Sequence, residues 1–200
     1  IKKVLNIIFL INFIILFPYS SFSNEVPYIR QTCLFSPYDF GFGDIGRDFL
    51  ETVSEEHSYK VDPFIQNIPT VPPEASLYHF EEVITSGSYG ILMIESHGSV
   101  SGFAVEAYKK YPDDPIENKK SQDDRDNAYN KYIQEGYTNI YRGDSEHGYH
   151  ISVKPEFISQ KLNMCKYAIV YNAACESFTT NLINAFVGTG RATNYIGNPD

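Results

Sequence analysis

A thiol and an imidazole each follow a short apolar run in this chain. Ile91-Leu92-Met93-Ile94 leads into Glu95-Ser96-His97-Gly98, and Tyr167-Ala168-Ile169-Val170-Tyr171 leads into Asn172-Ala173-Ala174-Cys175-Glu176-Ser177. Each run reads as a buried strand. His97 and Cys175 therefore fall at or just past a strand's C-terminal end, the rim where open parallel sheets carry their sites. A cysteine nucleophile with a histidine base is the chemistry these two residue types perform together. Gly98 lacks a Cβ, so a substrate carbonyl can approach its amide; that amide and the amide of Cys175 could form an oxyanion hole. The amides after Cys175 are expected to open a helix, whose N-terminus favours thiolate over thiol.

The elements that must hold these groups alternate between strand and helix. Tyr28 to Ser36 reads as a first strand closed by Pro37, followed by a glycine-rich turn from Asp39 to Gly46. Phe49, Leu50 and Val53 give Arg47 to His57 a helical spacing. Tyr59 to Ile65 reads as a second strand interrupted by Pro63, and Pro69, Pro72 and Pro73 stiffen the next connector. Leu77, Phe80, Val83 and Ile84 predict a helix over 74–86 that Gly87 stops. Residues 101–150 are the least regular. A surface insertion is expected at about 107–145, with a short helix over 126–134 inside it and a strand at Tyr149 to Val153 after it. Pro155 suits the first turn of a helix running to Asn163. The Cys175 strand, a helix from about Thr179 to Val187 and a strand from Arg191 to Ile196 complete the order. Such alternation predicts an α/β fold with a mostly parallel sheet between helices.

The 200 residues suffice for one such domain. A net charge of −9, with no Lys/Arg cluster long enough to make a basic patch, argues against a nucleic-acid partner. Lys2 and Lys3, an apolar run from Val4 to Phe17, Pro18, and small residues at Ser21 and Ser23 read as a signal peptide over 1–23. The expected location is secreted or in the periplasm or cell envelope. A membrane association arises only if that segment stays as an anchor, and its apolar run is short for a span. The chain opens on Ile rather than Met, so a fragment is expected at this end, and it stops as the loop after its last strand begins, so a truncated domain over 24–200 is expected. Three cysteines, Cys33, Cys165 and Cys175, leave at least one thiol free. Cys175 is assigned that role; Cys33 and Cys165 either pair or remain two buried thiols.

Other motifs carry less. Gly41-Phe42-Gly43-Asp44-Ile45-Gly46 matches a dinucleotide-binding loop, with Asp62 about 20 residues further on. An aromatic residue between the glycines and a secretion signal favour a surface turn instead. His147 and His150 with Asp144 have weak metal-ligand spacing. Asp123-Asp124-Arg125-Asp126-Asn127 lacks the glycine and terminal Glu of a calcium loop. No cofactor and no metal are expected.

Glu95-Ser96-His97-Gly98 and Ala173-Ala174-Cys175-Glu176-Ser177 resemble the His-Gly and Ala-Cys signatures of the caspase–hemoglobinase superfamily of cysteine peptidases (clan CD-like). The second motif looks nearest to legumains and also resembles the CHAT peptidase domains. The resemblance spans roughly residues 28–200, and the two short motifs are its specific part. It implies a caspase-like three-layer sandwich and an endopeptidase that cleaves peptide or protein substrates through a thioester. His97 would be the base and Cys175 the nucleophile, with the backbone amides of Gly98 and Cys175 as oxyanion donors. Asp39 and Asp44, in the loop after the first strand, either form an acidic substrate pocket favouring Arg or Lys by charge pairing or serve their own backbone as turn-formers. The chain departs from caspases in Ala173 and in Glu176-Ser177, and from legumains in Ser96, where they carry Asp. The interval from His97 to Cys175 exceeds the roughly 50 residues of caspases, a difference the insertion accounts for. The alternative expectation is a catalytically inactive caspase-like scaffold or binding domain at the cell envelope.

Overall fold

The computed structural model describes residues 29–38, 52, 58–65, 75–146, 148–188 and 192–198. The signal segment, the glycine-rich turn with Asp39 and Asp44, the helix expected over 47–57 and the proline connector lie outside these residues, Thr52 excepted.

Five strands form a parallel sheet: β1 (Gln31–Ser36), β2 (Lys60–Ile65), β3 (Ile91–Ile94), β8 (Ala168–Asn172) and β9 (Ala192–Gly197), in the order β2-β1-β3-β8-β9. Pro63 is tolerated because β2 lies at the edge of the described sheet, where a missing N–H breaks no central ladder. Cys33, Phe35, Leu92, Ile94, Ala168 and Val170 face one side and join the main core; Leu34 and Met93 face the other, the two-residue period of a strand buried on both faces.

Among the described residues there are four helices: α1 (Leu77–Thr85), α2 (Pro115–Gln134), α3 (Pro155–Lys161) and α4 (Thr180–Val187). The α/β class read from the sequence is present. The apolar stripe of α1 is buried as its spacing predicts, through Leu77, Phe80, Val83 and Ile84. Ser76 caps its start, and Gly87 follows its end with φ +68, the left-handed geometry that favours glycine there.

The region expected to be an irregular insertion is instead regular. With its flanking residues it forms an antiparallel sheet of β4 (Gly98–Ser99), β5 (Gly102–Lys109), β7 (Gly148–Val153) and β6 (Ile140–Asp144), in that order, with the 20-residue helix α2 against it; β7 is the strand expected at Tyr149 to Val153. The expected short helix is the C-terminal half of α2. Helix α2 has no apolar stripe, so hydrophobic spacing does not reveal it. It starts on a cap that the sequence does carry: Asp114 accepts from the N–H groups of Ile116 and Glu117, with Pro115 in the first turn. It docks through Tyr132, which joins the main core, and through polar contacts. The Ser121 hydroxyl donates to the Lys109 carbonyl, Arg125 donates to the Gly143 carbonyl, and the Tyr132 hydroxyl donates to Glu106.

Two features join the sheets. Phe80 on α1 meets Phe35 of the parallel sheet at 5.2 Å and Phe103 of the antiparallel sheet at 5.5 Å, both edge-to-face. Glu106, buried at a bulge in β5, accepts from the Leu77 amide at 3.1 Å and from the hydroxyls of Tyr132 and Tyr108. Burial raises its pKa despite those three donors. Replacing Glu106 with Ala strands three buried donors, so chemical denaturation is expected to show a loss of about 2–4 kcal/mol. A change below about 0.5 kcal/mol would mean that this carboxyl does not clamp α1 and α2 to the sheet.

Candidate functional site

β3 and β8 are neighbours in parallel register, with Ile94 opposite Asn172, and the Ala173 amide extends the ladder by donating to the Ile94 carbonyl at 2.8 Å. His97 and Cys175 each stand three residues beyond those partners. The two peptide segments then touch. A Cβ built on Gly98 would lie 2.4 Å from the Cys175 carbonyl oxygen and 2.9 Å from the Ala174 Cβ. This changes the reason for the glycine. The space a side chain would need is filled by the Cys175 loop rather than left for a substrate.

The His97 backbone is fastened from the antiparallel side. The Ala104 amide donates to the His97 carbonyl at 2.9 Å, and the buried Ser96 hydroxyl donates to the Ala104 carbonyl at 2.6 Å. Ser96 is thus a strand-end clamp. Gly98 pairs with Phe103 across β4 and β5, one residue along from the hydrogen-bonded pair of His97 and Ala104. Alternation of bonded and non-bonded pairs directs the Gly98 N–H away from β5, as an oxyanion donor there requires. The imidazole itself is half-buried, with Nε2 enclosed, and lies 4.5 Å from the ring of the fully buried Tyr38, nearly perpendicular to it.

Cys175 is exposed, at the corner of a turn that the Ser177 amide closes by donating to the Ala174 carbonyl at 3.2 Å. Glu176 beside it has φ +53, a left-handed conformation unusual for a non-glycine residue. The helix expected directly after Cys175 does not start there. Helix α4 begins only at Thr180, capped by Thr179, so its macrodipole does not act on the thiol at first-turn range.

Buried polar groups hold this turn in place. Asn172 accepts from the Ala174 amide at 3.1 Å and donates to the Tyr195 hydroxyl at 3.1 Å. Tyr195 donates to the Ser177 carbonyl, and the Ser177 hydroxyl donates to the Asn172 carbonyl while accepting from the Asn198 amide. The network spans β8, the turn and β9. Asn172, Ser177 and Tyr195 were not singled out from the sequence, although an amide ending an apolar run and a serine two positions after a cysteine are visible there.

The other candidates are placed differently. Asp39, Asp44 and His147 lie outside the described residues. His150 is engaged by the Tyr38 hydroxyl, 2.9 Å from its Nδ1, and Asp144 pairs with Lys110 at 3.2 Å. Asp62 accepts from Gln31, Lys60 and Tyr89 within the sheet region. Among the described residues, no group of His, Cys, Asp and Glu could hold a metal ion. Cys33 and Cys165 are free and buried, and burial raises both thiols above their ordinary value, most of all Cys33, where Asp62 adds to the effect. No helix among the described residues is long and apolar enough to cross a membrane.

No protein-family model, curated protein or solved structure matches the chain.

His150 makes the region acid-sensitive. Burial, then the charge of His97, lowers its pKa from 6.5 to about 4, with Arg125 and Lys110 acting in the same direction and Asp144 opposing. Its neutral form is the folded one. The associated stability is fully present above the unfolded value near 6.5 and is lost as pH falls toward about 4. With the ring partly exposed, that loss is expected to be about 2 kcal/mol. Denaturation midpoints measured across this range should show the slope in the native sequence and lose most of it in His150→Gln; an unchanged slope in the variant would place the acid sensitivity elsewhere.

Proposed function

We propose that this chain is a cysteine endopeptidase of caspase-like architecture, with Cys175 as nucleophile and His97 as base. The observation that supports it most is the meeting of the two rim segments, where Gly98 packs on the Cys175 carbonyl and an exposed thiol shares a rim with an imidazole. In this reading, His97 takes the thiol proton as Sγ attacks the peptide carbonyl. The oxyanion that forms is met by the amides of Gly98 and Cys175. The tetrahedral adduct collapses to a thioester, and His97 returns the proton to the leaving amine. Water, deprotonated by the same imidazole, then hydrolyses the thioester and restores the thiol.

Substrates are peptides or proteins met outside the cytoplasm. The carboxylates of Asp39 and Asp44, if they line the site, would favour Arg or Lys on the acyl side of the scissile bond. Turnover of a peptide library randomised at that residue tests the reading. The wild type should cleave, with basic residues enriched at the cut, and Cys175→Ala should lose at least about 1,000-fold in kcat/KM. Absence of cleavage by a folded wild type, or equal cleavage by Cys175→Ala, would leave the non-catalytic scaffold as the better account.

A further inference from the structure

Three aromatic rings from distant parts of the chain meet behind the rim. Tyr38, just after β1, is fully buried and packs edge-to-face on His97, with ring centroids 4.5 Å apart. Its hydroxyl lies 2.9 Å from Nδ1 of His150 on β7 and also bonds to the Ser145 side chain. Small residues make room for the pair. Ala104 and Ala107 pack with the Tyr38 ring. Gly143 pairs directly with His150, and a Cβ there would fall 2.5 Å from the imidazole Nε2. A Cβ at Gly148 would crowd Tyr38 at 3.3 Å.

The backbone of His97 is held by Ala104, and its ring packs on Tyr38, a contact that bears on both side-chain torsions. A catalytic base must be aimed within a narrow angle, because small misplacements cost large factors in rate. The Tyr38 ring supplies that wall, and the hydrogen bond to His150 stops the wall from turning. We infer that Tyr38 and His150 are the positioning residues of His97, the phenol ring fixing the imidazole and His150 anchoring the phenol. This rests on the reading of His97 as the base. It has an electrostatic side as well. The groups around His150 are Tyr38 after β1, His97 before β4, Lys110 after β5, Arg125 on α2 and Asp144 on β6. Held neutral among them, His150 adds no second positive charge beside His97 when that imidazole takes up a proton.

The test follows the His97 imidazole directly, by NMR titration of ring-labelled histidine, alongside the pH profile of peptide cleavage. Tyr38→Phe keeps the ring and removes the anchor; His150→Leu removes the anchor from the other end. Both are expected to move the His97 titration by at least about 0.5 pH unit. Both are also expected to lower kcat by about 3- to 10-fold, with KM within about 2-fold. Tyr38→Leu, which removes the wall, should lose more, and Tyr38→Phe should recover part of that loss. A His97 titration within about 0.1 unit of wild type in both folded anchor variants would overturn the inference. If Tyr38→Leu does not fold, those two titrations decide alone. They need no substrate, so an inactive wild type would sink the peptidase reading while the imidazole shift still decides whether the rings are coupled.

Discussion

The pairing of β3 with β8 is the constraint on which the candidate site depends. Ile91 to Ile94 lie beside Ile169 to Asn172 in parallel register, and the two strands leave the sheet together. A slip of one residue would turn every side chain of one strand to the opposite face and carry His97 or Cys175 off the shared rim. The register is enforced by burial. Leu92, Ile94, Ala168 and Val170 fill one core, while Met93 fills another on the opposite face, so neither strand can shift without exposing apolar surface.

Beyond the last rung, polar groups replace apolar ones as the source of order. Asn172, Ser177 and Tyr195 form a closed set of hydrogen bonds around the Cys175 turn, and Ser96 with Ala104 does similar work beneath His97. A buried polar group that keeps all its partners is directional, and a hydrophobic contact is not. The turn can therefore hold a left-handed Glu176 and still present Cys175 to solvent. The other two thiols have the opposite environment. Cys33 and Cys165 sit in the core with raised pKa values, which makes them poor nucleophiles. Cys175 differs from them in its exposure and in its place beside the His97 segment.

Strands β3 (Ile91–Ile94) and β8 (Ala168–Asn172) are readable because each is built on an apolar run, and α1 because its stripe recurs every three or four residues. Two parts were hidden for physical reasons. Helix α2 buries Ser121, Arg125 and Tyr132 rather than a stripe of leucines, so the sequence shows its second half, over 126–134, while its start is marked by the Asp114-Pro115 cap alone. Of the antiparallel sheet only β7 is legible, as the strand expected at Tyr149 to Val153; β5 is hidden because it mixes an apolar run with the buried Glu106, whose partners on α1 and α2 come from 29 residues before and 26 residues after it. Of the site, His97, Gly98 and Cys175 could be named from their positions after strands. Tyr38 and His150 could not, because no spacing rule brings together residues 112 positions apart; only the folded sheets do.

The central claim is that His97 acts on Cys175, and the alkylation rate of each thiol, followed by mass spectrometry across pH, tests it most directly. The account predicts one fast site at Cys175, slow reaction at Cys33 and Cys165, and a fall of at least about 10-fold at Cys175 in His97→Ala between pH 6 and 8. A Cys175 rate unchanged by His97→Ala at every pH would contradict it.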